Sequence, residues 1–112
     1  VDRLPNVYLA FDEATEANGC LRVIDRSHHR GCLPGTIDGS QLGGFYTDPQ
    51  FFDEQDAVSL ILESGSIVFF DAHLIHGSKP NRTVEPRRAI VMTYQPAGFP
   101  MLKTGEIVNI DV

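Results

Sequence analysis

Long apolar runs, clustered basic charge and paired cysteines are all scarce in this chain. No stretch approaches the roughly 20 consecutive apolar residues that carry a helix across a bilayer, so no membrane-spanning helix is expected. The net charge is −6, and basic residues gather only at Arg82, Arg87 and Arg88. A nucleic-acid surface needs a basic stripe to meet phosphates and is therefore disfavoured. The two cysteines, Cys20 and Cys32, form no C-x-x-C pair and leave no second pair for a zinc site. Free thiols in a reducing compartment are preferred over a bridge between them, and a cytoplasmic location is expected on that ground. Internal repeats, low-complexity tracts and interdomain linkers are also missing, so 112 residues amount to one domain at most. What is present is ordinary for a globular chain: 42% hydrophobic and 21% charged residues, which argues against disorder.

The apolar pattern is that of strands. Residues 7–12 (VYLAFD) alternate, with Val7, Leu9 and Phe11 on one face and Tyr8, Ala10 and Asp12 on the other. Asn18-Gly19 predicts a turn, because both residues tolerate positive φ, and residues 20–24 form the returning strand. Residues 25–31 (DRSHHRG) are polar. Residues 33–50 are rich in Gly, Pro, Ser and Asp and read as a long insertion at the mouth of a pocket, with Phe45 and Tyr46 as candidate lining. A helical turn is expected over 51–56 and a strand over 58–62, leading through Ser64-Gly65 to a buried strand at 67–70 (IVFF). Residues 88–94 (RAIVMTY) are strand-like up to Pro96; Arg87, Ala89, Val91 and Thr93 share one face, Ile90, Met92 and Tyr94 the other. A last short strand is expected at 107–110.

Two side chains carry chemistry in this pattern. His76 follows the 67–70 strand, and a neutral imidazole is the commonest protein metal ligand. Arg87 or Arg88 enters the next strand with a planar fork suited to a carboxylate. Either residue alone is more often a solvated or hydrogen-bonded surface group than part of a site.

The spacing goes further. Residues 76–89 (HGSKPNRTVEPRRA) place Ser78, Asn81, Thr83 and Arg87 at two, five, seven and eleven positions after His76. This resembles the C-terminal signature of the phytanoyl-CoA dioxygenase family. Residues 9–28 (LAFDEATEANGCLRVIDRSH) resemble that family's upstream block, a strand, an Asn-Gly turn, a second strand and a Ser-His, with Arg26 where glycine is usual. Residues 62–70 (LESGSIVFF) are similar to its glycine-led strand before the metal histidine. The resemblance implies an all-β, double-stranded β-helix of jelly-roll, cupin-like type and a non-haem Fe(II), 2-oxoglutarate-dependent dioxygenase that uses O2 to hydroxylate a small organic substrate. It makes His76 the distal iron ligand, Arg87 the residue for the far carboxylate of 2-oxoglutarate, and Ser78 a helper there. Ser27 and His28 are expected to be structural or to support the ligands from behind, and the Asn81-Arg82-Thr83 sequon a turn that positions Arg87.

The family's His-x-Asp iron pair has no counterpart: none of the four histidines has Asp or Glu two positions on. The expectation is a C-terminal fragment, residues 1–112 forming part of one β-helix domain, inactive alone and inclined to self-associate through open strand edges. Asp71 and His73 are read as polar strand-end residues rather than substitute ligands. The competing expectation is a non-catalytic cupin-like binding module that lacks the metal pair.

Overall fold

A computed structural model describes residues 5–37, 45–100 and 105–107. These form strands β1 (Pro5–Ala10), β2 (Leu21–Ile24), β3 (Gly35–Ile37), β4 (Phe45–Thr47), β5 (Ala57–Ser59), β6 (Ile67–Asp71), β7 (His76–Ser78) and β8 (Ala89–Thr93), with short 3-10 segments at Ser27–Arg30, Pro49–Phe51 and Glu54–Asp56. Every pairing is antiparallel: one sheet in the order β6-β1-β8, a second in the order β5-β2-β7, and the hairpin β3-β4.

Alternation along β1 sets the layering. Asn6, Tyr8 and Ala10 are buried, while Val7 and Leu9 are half-buried. Directly opposed residues share a face, so Tyr8 lies with Val68 and Val91, Asn6 with Phe70 and Thr93, and Ala10 with Ala89. On the second sheet Leu21 and Val23 point the same way as Ser78 and His76, their partners on β7. Tyr8, Ala10 and Leu21 are the buried centre, packed by Val23, Leu60, Leu62, Val68, Phe70 and Ala89 from both sheets. Two antiparallel sheets closed on one apolar layer are the jelly-roll arrangement that the family resemblance implies.

Several boundaries differ from expectation. His76 does not end the strand of residues 67–70 but opens β7 in the opposite sheet, after a turn in which the Leu74 N–H donates to Asp71 O at 2.9 Å. The expected 58–62 strand is shorter, Ala57–Ser59, with Leu62 forming a separate bridge to Ala14. The helical turn over 51–56 is two 3-10 segments, each started by an Asp side chain: Asp48 accepts from Gln50 N–H and Asp53 from Gln55 N–H. The presumed loop of 33–50 contains β3 and β4, whose Gly- and Pro-rich flanks hide a pairing that only the fold supplies. Residues 38–44 and the expected strand positions 108–110 lie outside the described residues.

Candidate functional site

Arg87 is placed by two turns. In the first, Asn18 Oδ1 accepts from Thr15 N–H at 2.8 Å and Asn18 Nδ2 donates to Glu13 O at 2.7 Å. Gly19 follows at φ 82, and a Cβ there would stand 2.3 Å from Lys79 O, so only glycine lets the turn touch the chain leaving β7. In the second, Asn81 Oδ1 accepts from the Thr83 N–H and hydroxyl, both at 2.8 Å, and Asn81 Nδ2 donates to Glu85 O at 2.8 Å. The sequon residues are thus committed to the turn that leads into Arg87. From there Arg87 Nε donates to Asn18 O at 3.1 Å and Nη1 donates to Tyr8 Oη at 2.7 Å. Tyr8 is only 4% exposed, so the guanidinium is brought onto the inner face of the first sheet.

Arg88 takes the opposite course. Its Nε and Nη2 grip the two Asp12 carboxylate oxygens, each at 2.9 Å, and its backbone N–H adds a bond of 2.7 Å to Oδ2. Those side-chain bonds, then the backbone bond, hold the Asp12 carboxyl down at about 2 from an ordinary 3.8, and the same pairing raises Arg88. The arginine pair is therefore divided: Arg88 is tied to a surface carboxylate, and Arg87 faces inward.

His76 is oriented by its own chain. Nδ1 lies 2.7 Å from Leu74 O. A carbonyl oxygen can only accept, so in the neutral ring Nδ1 carries the proton and Nε2 the lone pair. That is the tautomer a metal ligand requires. The ring meets Phe70 edge-on, centroids 5.0 Å apart. Phe70 shares the inner face of the first sheet with Tyr8, one diagonal step away on the neighbouring strand. His76 and Arg87 thus reach one layer from different elements, the imidazole against Phe70 and the guanidinium on Tyr8. A cavity of about 700 Å³ is lined by His76 and Ser78 together with Arg22, Glu54, Tyr46 and Phe52; neither Arg87 nor Tyr8 is among its lining residues. Phe45, the other aromatic expected there, lies outside the described side chains.

Asp71 and His73 have structural partners. Asp71 Oδ1 accepts from His73 N–H at 2.8 Å and faces His73 Nδ1 at 3.5 Å, closing the turn before β7. His28 and His29 lie ring to ring, centroids 4.1 Å apart, on the 3-10 segment. Cys20 is buried, Cys32 is exposed, and both are free thiols. Among the described residues no group of three or more His, Cys, Asp or Glu converges on a common point, and no helix is long and apolar enough to cross a membrane. Two residues of the site have partners that sequence reasoning did not supply. Tyr8 shows only as the larger partner of Ala10 in an alternating strand. Ser27, 3% exposed, accepts from Ile75 N–H at 2.8 Å, a link across 48 positions that no local pattern signals.

Comparison with known proteins gives one family. The family model described as phytanoyl-CoA dioxygenase (PhyH) matches residues 1–89. Methylphosphonate hydroxylase of Gimesia maris is 34% identical over 86 residues, covering 77% of this chain and 31% of that protein. Human peroxisomal phytanoyl-CoA dioxygenase is 30% identical over 92 residues, covering 80% and 27%. Among solved structures, EvdO2 from Micromonospora carbonacea, complexed with 2-oxoglutarate, superposes with a TM-score of 0.72 at 30% identity, covering 85% of this chain and 41% of that one. The chain spans about a third of the length of the curated relatives it matches.

Proposed function

The chain belongs to the phytanoyl-CoA dioxygenase family, and from that premise we propose that residues 1–112 are the part of one β-helix domain of a non-haem Fe(II)/2-oxoglutarate-dependent dioxygenase that carries its distal iron histidine and its 2-oxoglutarate arginine. The observation that carries this reading is that Arg87 bonds to Tyr8 while His76 lies edge-on against Phe70, the diagonal neighbour of Tyr8 on the first sheet. The residues fit the groups assigned to them. His76 presents an unprotonated Nε2. Arg87 has its plane set at Nε and Nη1, leaving Nη2 for a carboxylate oxygen. Tyr8 accepts from Arg87 and keeps its own O–H to donate to the same anion.

Iron, with 2-oxoglutarate and O2, supplies oxidising power for hydroxylation that no side chain provides. This chain's contribution is binding, orientation and exclusion of water. Arg87 holds the distal carboxylate of the keto acid, with Ser78 as a further hydroxyl on His76's face. Val23, Leu33, Phe52 and Ile75 line the cavity beside His76 with apolar surface, which strengthens the charged contacts within it. His76 supplies one ligand of a two-histidine, one-carboxylate set; the other histidine and the carboxylate are assigned to the parent protein outside these residues. The substrate is a small organic molecule received in the cavity beside His76. The relatives' names run from methylphosphonate to phytanoyl-CoA, and that spread supports a reading in which selectivity lies outside the shared motif.

The test is succinate formation from 2-oxoglutarate by the longer protein, with Fe(II) and ascorbate. Turnover is expected, and Arg87→Ala is expected to raise KM for 2-oxoglutarate at least about tenfold, the loss of a charge-assisted pair. Unchanged 2-oxoglutarate affinity in that variant defeats the assignment. Binding of 2-oxoglutarate with no turnover, in a parent that has no His-x-Asp, leaves the non-catalytic binding module instead.

A further inference from the structure

We propose that Ser27 is a positioning residue for His76, acting through a single peptide group. The proposal rests on the reading of His76 as a metal ligand and adds a residue that no motif assigns to that task. The peptide joining Leu74 and Ile75 is a rigid plane. Its N–H, on Ile75, donates to Ser27 Oγ at 2.8 Å; its C=O, on Leu74, accepts from His76 Nδ1 at 2.7 Å. The serine hydroxyl and the imidazole therefore hold opposite ends of one planar unit. Turning that unit to suit one partner takes it away from the other.

The serine end is sheltered. Ser27 is 3% exposed and Ile75 7%, so water competes poorly for this bond. The neighbouring bonds leave little slack: Ile24 N–H donates to Ile75 O at 2.9 Å, and Leu74 N–H to Asp71 O at 2.9 Å. Ser27 itself is delivered by Arg26, which turns the chain at φ 59 into the 3-10 segment. The distal histidine is thus aimed from the loop after β2, 48 positions upstream. Without the hydroxyl, Ile75 N–H has no partner in its buried setting. The peptide then tilts, Leu74 O leaves Nδ1, and the ring is free to place its proton on Nε2, where it blocks the metal-facing nitrogen.

The experiment uses the longer protein without metal or 2-oxoglutarate, its histidines labelled with 15N, in two-bond proton–nitrogen spectra at alkaline pH where imidazole is neutral. The unsubstituted chain is expected to show His76 as a single Nδ1–H tautomer. Ser27→Ala is expected to mix the tautomers and speed exchange of the Ile75 amide at least tenfold, and Ser27→Thr to restore both. His76 as the Nε2–H tautomer, or an unchanged tautomer in a folded Ser27→Ala, overturns the proposal and leaves Ser27 a purely structural residue. If Ser27→Ala does not fold, Ser27→Cys decides, because sulfur is a weak acceptor at the same place: unchanged tautomer and exchange overturn the proposal, a shift in both supports it. Because no turnover is measured, failure here is distinct from failure of the dioxygenase reading.

Discussion

Arg26 occupies a conformation that suits glycine. At φ 59 it is the one non-glycine residue with positive φ among the described residues, and a Cβ there crowds the following carbonyl. Its contact with Asp25, 3.8 Å long between side chains each 83% exposed, offsets little of that strain. Arg26→Gly relieves about 1–2 kcal/mol of strain and loses part of it to the greater freedom of glycine in the unfolded chain, so a net gain of about 0.5–1 kcal/mol is expected in urea unfolding. Gly19 is the converse case. Positive φ and a 2.3 Å approach to Lys79 O act together, and the obstructing atom is backbone that cannot rotate away. Gly19→Ala is expected to cost about 2 kcal/mol or more in the same measurement, and because this turn carries the carbonyl that receives Arg87 Nε, 2-oxoglutarate affinity of the longer protein should fall with it. A neutral Gly19→Ala contradicts the packing described here.

At the scale of elements, an ion pair reinforces the backbone bonds that join the end of β1 to the start of β8. The Asp12 carboxyl is depressed to about 2 by Arg88. A carboxyl with a lowered folded-state pKa stabilises the fold fully above its unfolded value and loses that contribution as pH falls toward the folded one. The window is therefore from about pH 4 down to about pH 2. Wild type and Asp12→Asn should differ most above pH 4 and converge through that window, followed by circular dichroism on acid titration. A difference that widens with acidification contradicts the sign. Added salt should shrink the difference as well, since the pair faces solvent. Arg87 gains nothing from such a pair; its bonds go to a neutral hydroxyl and a carbonyl, which leaves its charge available for an anion.

At the scale of the molecule, the outer face of the first sheet is apolar and open. Leu9 lies between Ile67 and Ile90, and Val7 between Phe69 and Met92. Phe69 is 73% exposed and Ile67 55%, far beyond the scattered apolar residues of an ordinary surface. Each three-stranded sheet also ends in edge strands, β6 and β8 in one and β5 and β7 in the other. We propose that the chain by itself associates with a second copy, and that the face contributes more than the edges, because each edge strand is only three to five residues long. Light scattering is expected to give more than the 12.4 kDa monomer, and Phe69→Lys with Ile90→Lys to reduce it. A monomer at every concentration defeats the idea.

What the sequence determined by itself was whatever acts over a few residues. Alternation placed Arg87 on the face of Ala89, Val91 and Thr93, Asn18-Gly19 marked a turn, and the interval from His76 to Arg87 named the family. The tertiary structure decided the rest: that His76 opens a strand of the opposite sheet, that residues 35–37 pair with 45–47, that Arg87 meets Tyr8 across 79 positions and that Ser27 meets Ile75 across 48. The division has a physical cause. Side-chain period and turn preference are set by local sterics, whereas a partner tens of residues away is chosen only when two sheets close on a shared apolar layer and every strand's register is settled at once.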